Sequence, residues 1–210
     1  MNQQSFARIL RTFLGVAGCL VFVFGIMAAP SIAKKNGDRV YTFNDKGELL
    51  QPLDWDVPSN WREEWIYVGA PVTPNELNNG KAAFPEFHSV YIHPDHYKVY
   101  KKTGAFPDGT ILIKEMTSVG SKEAASGQGY FMGEFLGLEA TIKDSKRFPN
   151  EPGYWAYFSW TDEEGGPRKK TTKAEPADKC NACHQAFAKD DWVFTQYYPV
   201  LRAAKPGMGK

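Results

Sequence analysis

Tyr130-Phe-Met-Gly-Glu-Phe-Leu-Gly-Leu-Glu-Ala-Thr-Ile142 is too long and too rich in aromatic and β-branched residues to be a loop, and its two glycines argue against a helix. It reads as one long strand, with Gly133 and Gly137 marking bulges or close backbone approaches. Residues 110–118, Thr-Ile-Leu-Ile-Lys-Glu-Met-Thr-Ser, read as a second strand, set off from the preceding segment by the turn Pro107-Asp108-Gly109. Residues 86–92 and 154–160 supply two more β-rich runs. Between them, His93-Pro94-Asp95 can open a short helix that Gly104 closes. Helices are further expected at 61–65, with Ser59 as cap, at 174–188, and at 192–204, where Pro199 interrupts. Residues 34–58, 69–85 and 121–129 read as turn-rich or small-residue loops, and 162–173 as an exposed tip. The fold class that follows is α+β: mainly antiparallel β-sheet with peripheral helices, the last part of the chain being helical.

The chain has 210 residues, of which 14 % are aromatic, enough for one well-filled domain. Arg8 and Arg11 precede an apolar run over 13–29, and Ser31-Ile32-Ala33 supplies small residues for cleavage. This is the layout of a secretory signal peptide over residues 1–33, followed by a single domain over 34–210 in an exported, periplasmic protein. A retained anchor and lipidation at Cys19 are the alternatives. Cleavage takes the net charge from +1 to −1, which leaves no electrostatic footprint for nucleic acid.

Cleavage also leaves Cys180 and Cys183 as the only cysteines. In an exported chain two cysteines usually form a disulfide. Here they belong to Cys180-Asn-Ala-Cys-His184, the C-x-x-C-H signature of covalent haem attachment. Two thiols at this spacing can add to the haem vinyl groups, and His184 then serves as an iron ligand. A thioredoxin-like dithiol would follow a strand in a βαβ unit, and a zinc site would need two more ligands. For the other side of the iron the candidates are Met116, Met132, Met208, His88, His93 and His96. None has a recognisable ligand context, and an open iron would bind small molecules instead.

Several stretches resemble the cytochrome P-460 family. They are Trp65-Ile-Tyr-Val-Gly69, Val72-Thr-Pro-Asn-Glu-Leu77, Phe106-Pro-Asp-Gly-Thr110, Gly129-Tyr-Phe-Met-Gly133, Gly137-Leu-Glu-Ala140, Lys143-Asp-Ser-Lys-Arg-Phe148, Val193-Phe-Thr195 and Tyr198-Pro-Val-Leu-Arg202, together with the haem motif. The resemblance runs from about Tyr41 to Ala204. It implies a periplasmic mono-haem homodimer that oxidises hydroxylamine to nitrous oxide or nitrite by way of iron–nitrosyl species. Nitric oxide is a further ligand, and a soluble c-type cytochrome is the electron acceptor. It further implies that Lys114 is cross-linked to the haem c macrocycle and that Glu139 is a distal carboxylate able to take protons from bound hydroxylamine. His88 stands where some members have an arginine and is a candidate to hydrogen-bond the ligand or supply a proton path. The relative cytochrome c′-beta lacks the lysine and only binds gases, so a nitric oxide binder is one alternative and an electron-transfer cytochrome another. By alternation Leu112, Lys114 and Met116 share one strand face, and Glu139 shares a face with Phe131, Gly133, Phe135 and Gly137, an aromatic wall.

Overall fold

The computed structural model describes residues 40–162 and 165–207, which form one compact unit. The signal segment expected over residues 1–33, with Cys19, and Met208 lie outside the described residues. In chain order the elements are β1 (Leu49–Leu50), α1 (Trp61–Glu64), β2 (Ile66–Gly69), β3 (Phe87–Ile92), α2 (Pro94–Thr103), β4 (Ile111–Val119), β5 (Glu123–Ala124), β6 (Gly127–Gln128), β7 (Met132–Lys143), β8 (Trp155–Ser159), β9 (Thr171–Thr172), α3 (Ala177–Phe187) and α4 (Pro199–Ala204). Five strands make one antiparallel sheet in the order β2-β3-β4-β7-β8. The α+β class read from the sequence is the observed one.

Strand alternation gives the sheet two buried faces. On the back face Ile111, Ile113, Leu138, Ile142 and Phe158 pack against Trp55, Trp61 and Trp65 from the preceding segments. On the front face Val90, Ile92, Leu112, Trp155 and Tyr157 meet Tyr100 of α2, Leu201 of α4, Val193 and Tyr198. Each large apolar side chain taken out of water contributes about 1.5–3 kcal/mol, so both layers matter to stability. One charge breaks the back face: Glu115, 7 % exposed. Arg62 of α1 answers it, its Nε donating to both carboxylate oxygens at 3.1 and 3.0 Å. That hydrogen bond raises the guanidinium's affinity for its proton. The pair ties α1 to β4 and leaves the neighbouring Lys114 on the front.

The glycines of β7 behave as the sequence suggested. A Cβ on Gly133 would lie 2.5 Å from Ser118 Oγ, and one on Gly137 2.5 Å from Met116 Cε. The pairing of β7 with β4 slips between Met116↔Gly137 and Thr117↔Phe135, so Leu136 is an extra, bulged residue. This corrects the expected aromatic wall. The bulge turns Phe135 to the back face, where it packs against the Trp-rich cluster, away from the face of Glu139.

Three other expectations change. Ser59 does not cap α1: its hydroxyl accepts from Trp65 Nε1 at 2.7 Å and donates to Glu64 at 3.3 Å, and Asn60 holds the cap position. The helix expected over 192–204 is three pieces. A tight turn at Asp191-Trp192, both with positive φ, is followed by a 3-10 turn at Thr195–Tyr197 and then α4, which starts at Pro199 because proline suits a first helical position. The segments read as loops hold two short pairings, β5 with β6 and β1 with β9, and the stretch after α1, left unassigned in the sequence, forms the edge strand β2. By contrast α2 ends as read, with Gly104 left-handed at φ 75° and its N–H on Tyr100 O.

Candidate functional site

The haem motif lies on α3. Asn181, inside the motif and 2 % exposed, donates from Nδ2 to Trp155 O and to Glu151 Oε2, both at 3.0 Å, and so pins the helix to the start of β8. Cys180 is half-buried, Cys183 is exposed, and both are free thiols. Burial, helped by the carboxylates of Glu139 and Glu175, pushes the Cys180 thiol up. Among the described residues no cluster of three or more His, Cys, Asp or Glu side chains is placed to hold a metal ion. The dithiol and zinc readings therefore find no support here.

His184 is held between the rings of Tyr157 and Phe194, at centroid distances of 4.5 and 4.6 Å. Its Nδ1 lies 2.8 Å from Trp192 O. A carbonyl can only accept, so Nδ1 carries the proton and Nε2 keeps its lone pair for a metal. Burial lowers the imidazole's proton affinity, and the carbonyl partly offsets this. His184 lines a front-face cleft with Val90, Leu112, Lys114, Trp192 and Tyr198.

Lys114 and Glu139 are direct register partners on β4 and β7, with Nζ 2.6 Å from Oε2. Their side chains are 27 % and 33 % exposed, so the lysine, on one strand face with Leu112 and Met116, is paired rather than alone. Glu139 lines a second cleft with Phe84, Glu86, Met116, Leu136 and Cys180. Phe84 takes the place expected of Phe135, its ring centre 6.0 Å from Lys114 Nζ. Both charges act electrostatically on Cys180 and on His184, which places the pair beside the haem motif. His88 lies on the same sheet face, opposite Met116. Its Nε2 is 3.0 Å from Glu86 Oε1, and its ring meets Phe84 edge-on at 6.0 Å.

The sequence reading missed Glu86, which is 7 % exposed. Burial pushes its carboxyl up, but hydrogen bonds from His88 and the backbone outweigh this and hold it below its ordinary value. Nothing in the strand pattern marks it, because it stands just ahead of β3. Of the candidate sixth ligands, Met116 reaches the second cleft and Met132 is 49 % exposed. His93 caps the start of α2, accepting from the Asp95 N–H, and His96 within α2 accepts from the Ile111 N–H of β4, both at 3.3 Å.

The residues present fit a haem. Two free thiols and a histidine with Nε2 available sit on one helix beside an apolar cleft. Trp192 lines that cleft, and among the described residues its buried indole N–H has no partner, a donor that the carboxylate of a haem propionate could satisfy. Fold and site together define a c-type haem protein. Residues 58–195 match the family model described as Cytochrome P460, and the chain belongs to that family. No curated protein matches the chain.

Proposed function

We propose that this protein is a periplasmic, homodimeric haem enzyme that oxidises hydroxylamine to nitrous oxide or nitrite and passes the electrons to a soluble c-type cytochrome. Export rests on the character of residues 1–33, and the dimer and the acceptor on the family resemblance. The single observation that carries the catalytic reading is the Lys114–Glu139 pair, fixed by strand register on the face that carries the haem motif.

In this reading Cys180 and Cys183 would hold one haem c by thioether bonds, His184 would ligate through Nε2, and Lys114 would supply a further attachment to the macrocycle. The haem, when bound, supplies iron and one-electron chemistry. The chain supplies the rest. Phe84, Met116 and Leu136 give the second cleft an apolar lining beside Glu139. Two hydroxylamines give up four protons and four electrons on becoming nitrous oxide and water, so a base is needed. Glu139 takes those protons at Oε2, the oxygen that Lys114 now holds. If the lysine nitrogen is committed to the macrocycle it no longer neutralises the carboxylate, which is then free to act as a base. The Glu86–His88 pair stands on the same side as a polar neighbour that can hydrogen-bond the ligand.

The test uses Glu139→Ala and Glu139→Gln. A positioned general base is worth about 10²–10⁴ in rate. Both variants should keep the haem spectrum, still bind hydroxylamine, and turn over slower by about that range. If both stay within about twofold of the wild type, far short of that range, Glu139 is not the base, and a protein that only binds nitric oxide becomes the better account.

A further inference from the structure

The turn that presents Trp192 O to His184 is strained and heavily anchored. Asp191 and Trp192 have φ of 46° and 60°, and the residues flanking them form a bridge: Val193 N donates to Asp190 O at 2.8 Å and Asp190 N to Val193 O at 3.4 Å. This is a two-residue turn with both central residues left-handed, a conformation that asparagine and glycine adopt readily and tryptophan does not. Asp191 is clamped at its tip. Its Oδ2 lies 2.6 Å from Lys143 Nζ, and its Oδ1 accepts from Trp155 Nε1 at 3.3 Å. Lys143 and Trp155 are themselves register partners at one end of the β7–β8 pairing. Lys143 Nζ also reaches Phe106 O at 3.3 Å and stands 5.9 Å from the centre of the Trp155 ring. The haem reading makes no use of this cluster, although the lysine and the Val-Phe-Thr after the turn both fall in the stretches quoted for the family resemblance.

We propose that Asp191 is a positioning residue for His184. Anchored by Lys143 and Trp155, it fixes the turn so that the Trp192 carbonyl stays on Nδ1 and Nε2 keeps one orientation. The inference rests on His184 being the haem ligand, not on the reaction at Glu139. A partner that accepts from Nδ1 strengthens the histidine as an electron donor and so favours ferric iron. Loosening the turn should therefore raise the haem reduction potential.

Spectroelectrochemical titration of haem-loaded Asp191→Asn and Asp191→Gly separates anchoring from charge. Both variants lose the negative charge. Asparagine keeps a single acceptor oxygen, enough to hold one of the two anchors, and tolerates positive φ, whereas glycine keeps the turn but has no side chain to clamp. The potential should rise clearly more in Asp191→Gly than in Asp191→Asn. Equal potentials in the two variants would mean that only charge matters, and a wild-type potential in Asp191→Gly would mean that nothing is being positioned; either result overturns the proposal. Should Asp191→Gly not accumulate with haem, the double variant Lys143→Met with Trp155→Phe removes both anchors. Losing a cation there would by charge alone lower the potential, so a rise supports positioning, and a fall or no change overturns it. A wild type without covalent haem would instead refute the cofactor reading, and hydroxylamine turnover does not enter the measurement.

Discussion

Replacing Gly153 by alanine should be among the most damaging single-methyl additions this chain can receive. Gly153 sits at φ 62°, ψ 10°, just before β8. A side chain there costs about 1–2 kcal/mol for the left-handed backbone alone. A Cβ would also lie 2.5, 2.8 and 2.8 Å from three atoms of the Trp192 indole. Overpacking a rigid ring of this kind costs about 1–3 kcal/mol more. Together the loss is about 2–5 kcal/mol, and at about 2–4 °C per kcal/mol for a chain of this size it lowers Tm by roughly 4–20 °C. Gly47→Ala is the control, because Gly47 has φ 76° but nothing within 4 Å of its Cβ position, so only the backbone penalty of about 1–2 kcal/mol applies. Thermal unfolding of the haem-loaded variants, followed by circular dichroism, measures both. If Gly153→Ala loses no more than Gly47→Ala, the indole yields freely, and Trp192 is not the fixed wall that its carbonyl's bond to His184 requires.

Cys180→Ala combined with Cys183→Ala should abolish thioether attachment; haem that survives acid–acetone extraction in this variant would have to be held by Lys114 alone. Lys114→Leu should turn an unusual ferrous spectrum into that of an ordinary c-type haem and stop hydroxylamine oxidation, with the fold intact by circular dichroism; an unchanged spectrum rules the cross-link out. Glu86 binds its proton less readily when folded than its ordinary value of 4.5, so its stabilising effect is complete above that value and fades as the pH falls through the lower, folded one. The stability gap between wild type and Glu86→Gln should therefore close in acid, and a gap constant from neutral to strongly acid pH would refute the role of the His88 hydrogen bond.

The parts of the fold that could be read in advance are those set by local chemistry. Strands β3, β4, β7 and β8 announce themselves by β-branched and aromatic runs, and α2 by its proline start and glycine stop. The haem motif is legible for the same reason, since the spacing of Cys180, Cys183 and His184 is itself the chemistry. What stayed hidden depends on partners distant in sequence. Alternation put Phe135 beside Glu139, and only the pairing with Thr117 reveals the extra residue that reverses it. Composition suggested a helix after Trp192, yet the clamp on Asp191 by Lys143, 48 residues away, helps hold a turn there. Glu115 reads as one more exposed strand charge until Arg62 arrives from α1. The Lys114–Glu139 pair is intermediate: each residue was singled out separately, and their direct contact comes from the register of β4 on β7.

The bulge at Leu136 also divides space. Its side chain borders the cleft that holds Glu139 and Cys180, and equally a neighbouring one lined by Glu76, Ser118 and Lys122. Leu136 is thus a wall shared by two neighbouring clefts. Since a bulged residue has no counterpart across the ladder, its size can change without shifting the pairings on either side. A smaller residue there would enlarge the cleft beside Glu139 and a larger one would narrow it. The shape of that cleft can in this way be adjusted at one position while Lys114, Glu139 and the sheet beneath them stay where they are.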